Sequence, residues 1–186
     1  MKKVVVLALC ALLLTGCSGA AEEIQRGMQL RSALLGCSNC SFDVHVTADY
    51  GDALHSFSLE CESDSQGDLR FTVTQPESIA GIQGTIAHGT GKLTFPDTAV
   101  QFDLMADDQL SPVSGPWILL NGLRSGHLQA AGMEGELLRL SLADGFEEDA
   151  LYLDVWLNGQ NQPVRGEVLY DGRRILSMEV SGFQIV

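Results

Sequence analysis

The sequence predicts a mainly β domain of the α+β class. The expected form is a curved antiparallel sheet of about nine to eleven strands, covered by an N-terminal helix and a mid-chain helix. Three observations carry this expectation. Apolar and polar residues alternate in short runs between residues 42 and 180, the period of strands with one buried face. Helical spacing is confined to residues 22–35 and 112–123. Gly, Pro and Asp-Gly fall between the alternating runs and punctuate them. A sheet with that many strands curls, and two short helices are the natural cover for its apolar face.

Glu22–Leu35 reads as the first helix. Glu22 and Glu23 complement the dipole of its first turn, and Gly36 stops it. Ile24, Met28 and Leu35 form its apolar face, with Leu34 nearby. Beyond Gly36 the period becomes two. Phe42, Val44 and Val46 alternate with Asp43, His45 and Thr47, and Asp49-Tyr50-Gly51-Asp52 reads as a turn. Phe57, Leu59 and Cys61 follow. With those four residues as the loop, Val46 pairs with His55, Val44 with Phe57, Phe42 with Leu59 and Cys40 with Cys61. A one-residue slip would put the two apolar sets on opposite faces.

Leu69, Phe71 and Val73 form a third strand, which Pro76 ends. Ile79–Ile82 is a bend. Shorter strands are expected near Gly84–His88, Lys92–Phe95 and Ala99–Leu104, then an acidic loop over Met105–Ser111. Pro112–Leu123 is helix-like: Pro116 suits a first turn, and Gly122 or Gly126 an end. Its run Trp117-Ile118-Leu119-Leu120 indicates burial on most sides. Strands resume at Leu138–Leu142, Leu151–Leu157, Val164–Tyr170 and Leu176–Val180. In the last hairpin two signals disagree. Asp171-Gly172 indicates a two-residue turn. The apolar faces require a three-residue loop that pairs Val168 with Leu176 and Gly166 with Met178. Burial involves the larger free energy, so the faces decide. The whole reads as one long meander.

The first residues set the compartment. Lys2-Lys3 precedes the apolar run Val4–Leu14, which is too short to span a bilayer and ends in Leu14-Thr15-Gly16-Cys17. This is a secretory leader. Its ending resembles the bacterial lipobox, which implies that Cys17 becomes the acylated first residue, carrying palmitate or related chains. The expected plan is a lipoprotein signal peptide over residues 1–16, a flexible lipidated tether over 17–21 and one folded domain over 22–186. The product is expected on the extracytoplasmic face of the cell membrane. The chain carries a formal charge of −13. Loss of Lys2 and Lys3 leaves 24 acidic side chains against nine basic ones. Such a surface repels nucleic acid and anionic headgroups, so anchoring falls to the acyl chains.

The order of these pieces resembles the LolA/LolB-like lipoprotein-carrier superfamily, including Gram-positive, lipid-anchored members such as the clostridial germination lipoproteins. The residues that carry the resemblance are the lipobox and N-terminal helix, then Phe71-Thr72-Val73-Thr74-Gln75-Pro76. Ile79-Ala80-Gly81-Ile82 leads to Gly91-Lys92-Leu93-Thr94-Phe95. A mid-chain helix, Leu151-Tyr152-Leu153-Asp154 and Gln162-Pro163-Val164 complete it. The resemblance implies a half-barrel whose concave face takes a hydrophobic ligand. Aromatic residues, which line that family's cavity, are scarcer here at 6%.

No catalytic constellation emerges. Cys37-Ser38-Asn39-Cys40 joins a helix to an antiparallel strand, not the βαβ setting of a redox motif, and lacks two further ligands for zinc. Cys40 and Cys61 are the first choice for a disulfide, from the strand register; Cys37 is the alternative partner or is left over for a link between molecules. His45, His55, His88 and His127 are scattered. Glu147, Glu148 and Asp149 with Asp144, and Asp103 with Asp107 and Asp108, lack calcium-loop spacing. No metal and no cofactor are expected. The expected function is non-catalytic binding of an acyl chain or a lipidated protein, or of an envelope partner, in a curved-sheet cavity. Its lining is expected from Phe42, Val44, Phe57, Leu59, Phe71, Val73, Trp117, Leu140, Leu153 and Val155. The alternative is a structural or regulatory lipoprotein with a filled core, acting through protein contacts, including as a disulfide-linked dimer.

Overall fold

The computed structural model describes residues 18–95, 98–106, 109–145 and 150–186. The leader, Cys17, Asp107–Asp108 and the acidic run Glu147–Asp149 lie outside the described residues. Helix α1 (Ser18–Gly36) comes first, then β1 (Asn39–Asp49), β2 (Leu54–Asp64), β3 (Leu69–Gln75), β4 (Gln83–Ala87), β5 (Thr90–Thr94) and β6 (Ala99–Asp103). A two-stranded ribbon of β7 (Met105–Ala106) and β8 (Gln109–Leu110) leads into α2 (Gly115–Ser125). The chain ends with β9 (His127–Glu134), β10 (Leu137–Ala143), β11 (Tyr152–Leu157), β12 (Pro163–Tyr170) and β13 (Arg173–Ile185).

Eleven strands form one open antiparallel sheet in the order β6-β5-β4-β3-β2-β1-β13-β12-β11-β10-β9. The curved, helix-covered half-barrel read from the sequence is therefore the observed architecture. Its connectivity differs from one long meander. Two meanders share a seam where β1 pairs with β13, and the segment carrying α2 takes the chain from edge strand β6 to edge strand β9. The backbone N–H of Val186 donates to the carbonyl of Asn39 at 2.9 Å, which ties the last residue to the start of β1.

Strand alternation puts one apolar set on the helix side. Phe42, Val44, Val46 and Ala48 of β1 are all buried, as are Leu138, Leu140 and Leu142 of β10 and Leu176, Met178 and Val180 of β13. These join Leu30 and Leu34 of α1 and Ile118, Leu119, Leu120 and Leu123 of α2 in one core. Strand β9 escapes the sequence reading because it is an edge strand of mostly exposed, small and polar residues, without the large alternating apolar set that marks the others.

Two places show the sheet accommodating its own curvature. Phe71 sits opposite Gly84 in the β3–β4 ladder and Phe102 opposite Gly91 in the β5–β6 ladder. Each ring lies over its glycine, in space that a Cβ would occupy. At the β12–β13 hairpin the expected three-residue loop is replaced by a two-residue turn, while the expected facing of the strands is kept. Asp171 and Gly172 take φ of 48° and 69°, and Tyr170 pairs with Arg173 across a two-residue turn. A bulge then restores Val168 opposite Leu176 and Gly166 opposite Met178.

Three expectations are corrected. First, the β1–β2 register is two residues from the expected one: Val46 pairs with Phe57, Phe42 with Cys61 and Cys40 with Ser63. The loop is Tyr50–Ala53, with Asp49 still in the ladder opposite Leu54. A two-residue shift leaves every side chain on its face, so burial alone does not distinguish the two registers. Second, residues 18–21, expected as a flexible tether, are helical. Third, Ile24, Met28 and Leu35 are 45%, 46% and 62% exposed. The face that α1 buries carries Gly27, Leu30 and Leu34. Gly27 decides this, because the missing side chain lets Leu140 of β10 approach to 3.1 Å of its Cβ position.

Candidate functional site

Helix α2 lies on the apolar face of the sheet because its sequence leaves it no polar side there. Ile118, Leu119, Leu120 and Leu123 are all buried. Pro116 occupies the first turn and Gly126 caps the end, donating its N–H to the carbonyl of Gly122. The approach to β11 is close: a Cβ on Gly122 would lie 2.4 Å from Leu153 Cδ2. The C-terminus of α2 carries orphan carbonyls and the negative end of the helix dipole. Arg31 of α1 supplies the cation there. Its Nε donates to the carbonyl of Leu123 at 2.8 Å and its Nη2 to that of Gly126 at 2.6 Å. Arg124 fastens the same end to the β2–β3 turn, through Ser63 Oγ at 3.1 Å and the Asp64 carbonyl at 2.9 Å. Before α2, Tyr50 Oη donates to the Leu110 carbonyl at 2.7 Å.

Beside α2 a cavity of about 200 Å³ remains. Its walls are Leu104, Leu110, Trp117, Ile118, Leu142, Leu151 and Leu153. Asn121, Ser125 and Asp144 add the few polar groups. Two of these are already engaged: Ser125 Oγ donates to the Asn121 carbonyl at 2.9 Å, and Asp144 Oδ1 accepts from the Leu151 N–H at 2.7 Å. Apolar walls with a polar margin suit hydrocarbon. The volume sets a limit. An apolar cavity of about 150 Å³ admits a benzene-sized molecule, and pockets for larger ligands run from about 300 Å³. This one has room for the end of an acyl chain and not for a whole lipid.

Of the ten residues expected to line a trough, Trp117 and Leu153 border this cavity. Phe42, Val44, Leu59, Phe71, Val73, Leu140 and Val155 are buried in the closed core, and Phe57 is half-buried. Among the described residues the helices fill most of the concave face, and this cavity lies where β10 ends and β11 begins. Leu104, Leu110, Ile118, Leu142 and Leu151 were not among the expected lining. Leu142 lies near the end of β10 and Leu151 just before β11. Leu104 precedes the β7–β8 ribbon and Leu110 ends it, in a segment that the sequence presents as an acidic loop. A second gap between the helices, at Met28, Arg31, Leu123 and Leu128, is about 10 Å³ and takes no ligand. A larger hollow of about 640 Å³ lies against β1–β4, among Asp43, Glu60, Glu62, Arg70 and Thr72, and is bordered also by Phe42 and Phe71, two of the residues expected to line the trough. It is open to water, and its charges do not suit hydrocarbon.

Cys37, Cys40 and Cys61 are buried free thiols. Burial, with a smaller contribution from Cys37, pushes the Cys40 thiol up to about 12, against an opposing effect of Arg124. Burial, then Asp43 and Cys40, raises Cys61 as well. Protonated thiols are poor nucleophiles and metal ligands. Among the described residues no group of three or more His, Cys, Asp or Glu side chains is arranged to hold a metal ion.

The polar face of the sheet carries a network absent from the sequence reading. Arg139 Nη2 donates to Asp154 Oδ2 at 2.5 Å and Ser141 Oγ to Asp154 Oδ1 at 2.6 Å. The indole of Trp156 is 4% exposed, with the guanidinium carbons of Arg165 and Arg139 at 4.2 and 5.4 Å from its ring centre. Hydrogen bonding and attraction to Asp154 hold the Arg139 guanidinium above its ordinary value.

No family model and no curated protein matches this chain. Solved structures are similar to it. A LolA superfamily protein from Nitrosomonas europaea is 12% identical, over 86% of this chain and 93% of that one, with a TM-score of 0.46. A putative outer membrane lipoprotein-sorting protein domain from Vibrio parahaemolyticus is 9% identical over 89% and 93%, with a TM-score of 0.46. The Mycobacterium tuberculosis lipoprotein LppX is 13% identical over 87% and 93%, with a TM-score of 0.41.

Proposed function

We propose that this chain is a non-catalytic, extracytoplasmic lipoprotein, anchored through acylated Cys17, that takes the end of an acyl chain into the cavity beside α2. The free chain of a lipid and the acyl group of a lipidated protein present the same hydrocarbon. One observation carries the reading: eight apolar side chains line the space, and Asn121, Ser125 and Asp144 are its few polar side chains. Burial contributes about 25 cal/mol per Å² of apolar surface, so a partly inserted chain gains a few kcal/mol. Residues 1–16 are the leader in this account, and 22–186 the folded domain.

The test is organic extraction and mass spectrometry of a leaderless chain beginning at Ser18, followed by titration with a palmitate probe. The reading expects co-purifying or saturable hydrocarbon. An empty protein that takes up no palmitate contradicts it.

A second reading has its own observation: most of the concave face is closed core. In that reading the protein acts in the cell envelope by presenting its acidic surface to another protein. Tight capture of one envelope protein by a chain that extracts no lipid favours it.

A further inference from the structure

Ile24, Met28 and Leu35 are large apolar side chains that α1 leaves uncovered. They stand 7, 11 and 18 residues after Cys17. At about 100° per residue, these positions fall within about 40° of one another on the helix circumference. The helix begins at Ser18, the residue that follows Cys17.

The charges agree with this arrangement. In a chain with 24 acidic side chains, none lies between Ile24 and Leu35. Glu22 projects away from the stripe and Glu23 turns toward the side that α1 buries. The cation on the stripe, Arg31, is spent on the carbonyls of Leu123 and Gly126. An acidic protein held against anionic headgroups needs a contact face free of acid, and this face provides one. Among the described residues no helix is long and apolar enough to cross a membrane. A helix with an exposed apolar stripe and a nearby acyl group lies in the interface plane.

We infer that α1 rests lengthwise on the bilayer, with Ile24, Met28 and Leu35 dipping among the acyl chains beside the lipid on Cys17. This rests on the acylation of Cys17 proposed above. The contact restricts the orientation of the domain, so the anchor is a fixed foot and not a loose leash.

The test uses the full-length product in phosphatidylcholine–phosphatidylglycerol vesicles. A nitroxide is placed at Met28→Cys or, one position round the helix, at Gln29→Cys; Cys37, Cys40 and Cys61 are buried and do not compete. Intact mass is read on the same sample. The expected result is a several-fold loss of access for a water-soluble nickel relaxer at position 28, with position 29 unchanged. Equal access at both positions in acylated protein overturns the inference. A mass without acyl groups defeats the anchor alone. In that case the label is placed in a leaderless chain beginning at Ser18, where protection of position 28 on mixing with vesicles upholds the stripe's role and continued access overturns it. Protection before vesicles are added, with spin–spin broadening, assigns the stripe to a second copy and also overturns it.

Discussion

Gly122 of α2 lies directly against Leu153 of β11, with its Cβ position 2.4 Å from Leu153 Cδ2. Both residues border the apolar cavity. The contact fixes how far the helix stands from the sheet. In Gly122→Ala the new methyl displaces the end of the leucine side chain into the adjacent space or lifts α2. We expect destabilisation of about 1–3 kcal/mol, the usual range for an overpacked core, and weaker uptake of a palmitate probe. Denaturant unfolding and probe titration measure the two effects. Unchanged uptake would remove this cavity from the account.

Arg31 joins the two helices. Arg31→Ala strands the α2 carbonyls at Leu123 and Gly126 and removes a charge from the helix terminus. Hydrogen bonds from a charged donor contribute about 1.5–3 kcal/mol, and we expect a loss within that range. Lysine restores the charge but not the planar fork, so Arg31→Lys recovers only part of it. Amide exchange in the last turn of α2 should accelerate in both variants, and more in the alanine one.

Phe71 supports the curved half of the sheet by covering Gly84. Phe71→Ala leaves a void over a glycine, and we expect a cost of about 3–5 kcal/mol. Gly84→Ala drives a methyl into the ring and is expected to cost about 1–3 kcal/mol. In the double variant the methyl has room, so its loss should be smaller than the sum of the two. A double-mutant cycle by urea unfolding measures this coupling.

The buried thiols set an alkaline limit. Cys40 is raised from 9.0 to about 12, and Cys61 is raised with it. The folded state therefore holds these protons more tightly than the unfolded one. Their contribution is fully present below about pH 9 and is lost as pH rises toward about 12. Stability should fall across that window, and less steeply in Cys40→Ala. At pH 8 the native chain should react with a thiol reagent only after unfolding, then show all three thiols.

The period-two pattern made the sheet legible, because a strand with one wet face writes its burial into alternate residues. It did not identify which strands adjoin across the seam, since β1–β13 pairing joins residues more than a hundred positions apart. Register was legible only modulo two. The slip in β1–β2 preserved the faces of Phe42 and Val44 while moving Cys40 from Cys61 to Ser63. In the last hairpin the facing of Val168 and Leu176 was right, but the three-residue loop inferred from it was not: Asp171-Gly172 makes a two-residue turn, and a bulge supplies the offset.

Helix α1 shows why the cavity was harder to read. Its apolar residues occupy two sides, and the strongest stripe in the sequence, Ile24-Met28-Leu35, is the one left uncovered. What faces the sheet is set by the absence of a side chain at Gly27, a signal without hydrophobicity. The cavity was also displaced from its expected place. Leu104 and Leu110 reach it from beside and within a ribbon of two-residue strands, too short for any period to announce them.

The most direct test of acyl-chain binding is methyl NMR of the leaderless chain titrated with palmitate. The account predicts saturable shifts confined to Leu104, Leu110, Ile118, Leu142, Leu151 and Leu153. Shifts absent altogether, or centred on the polar face of β1–β4, would contradict it.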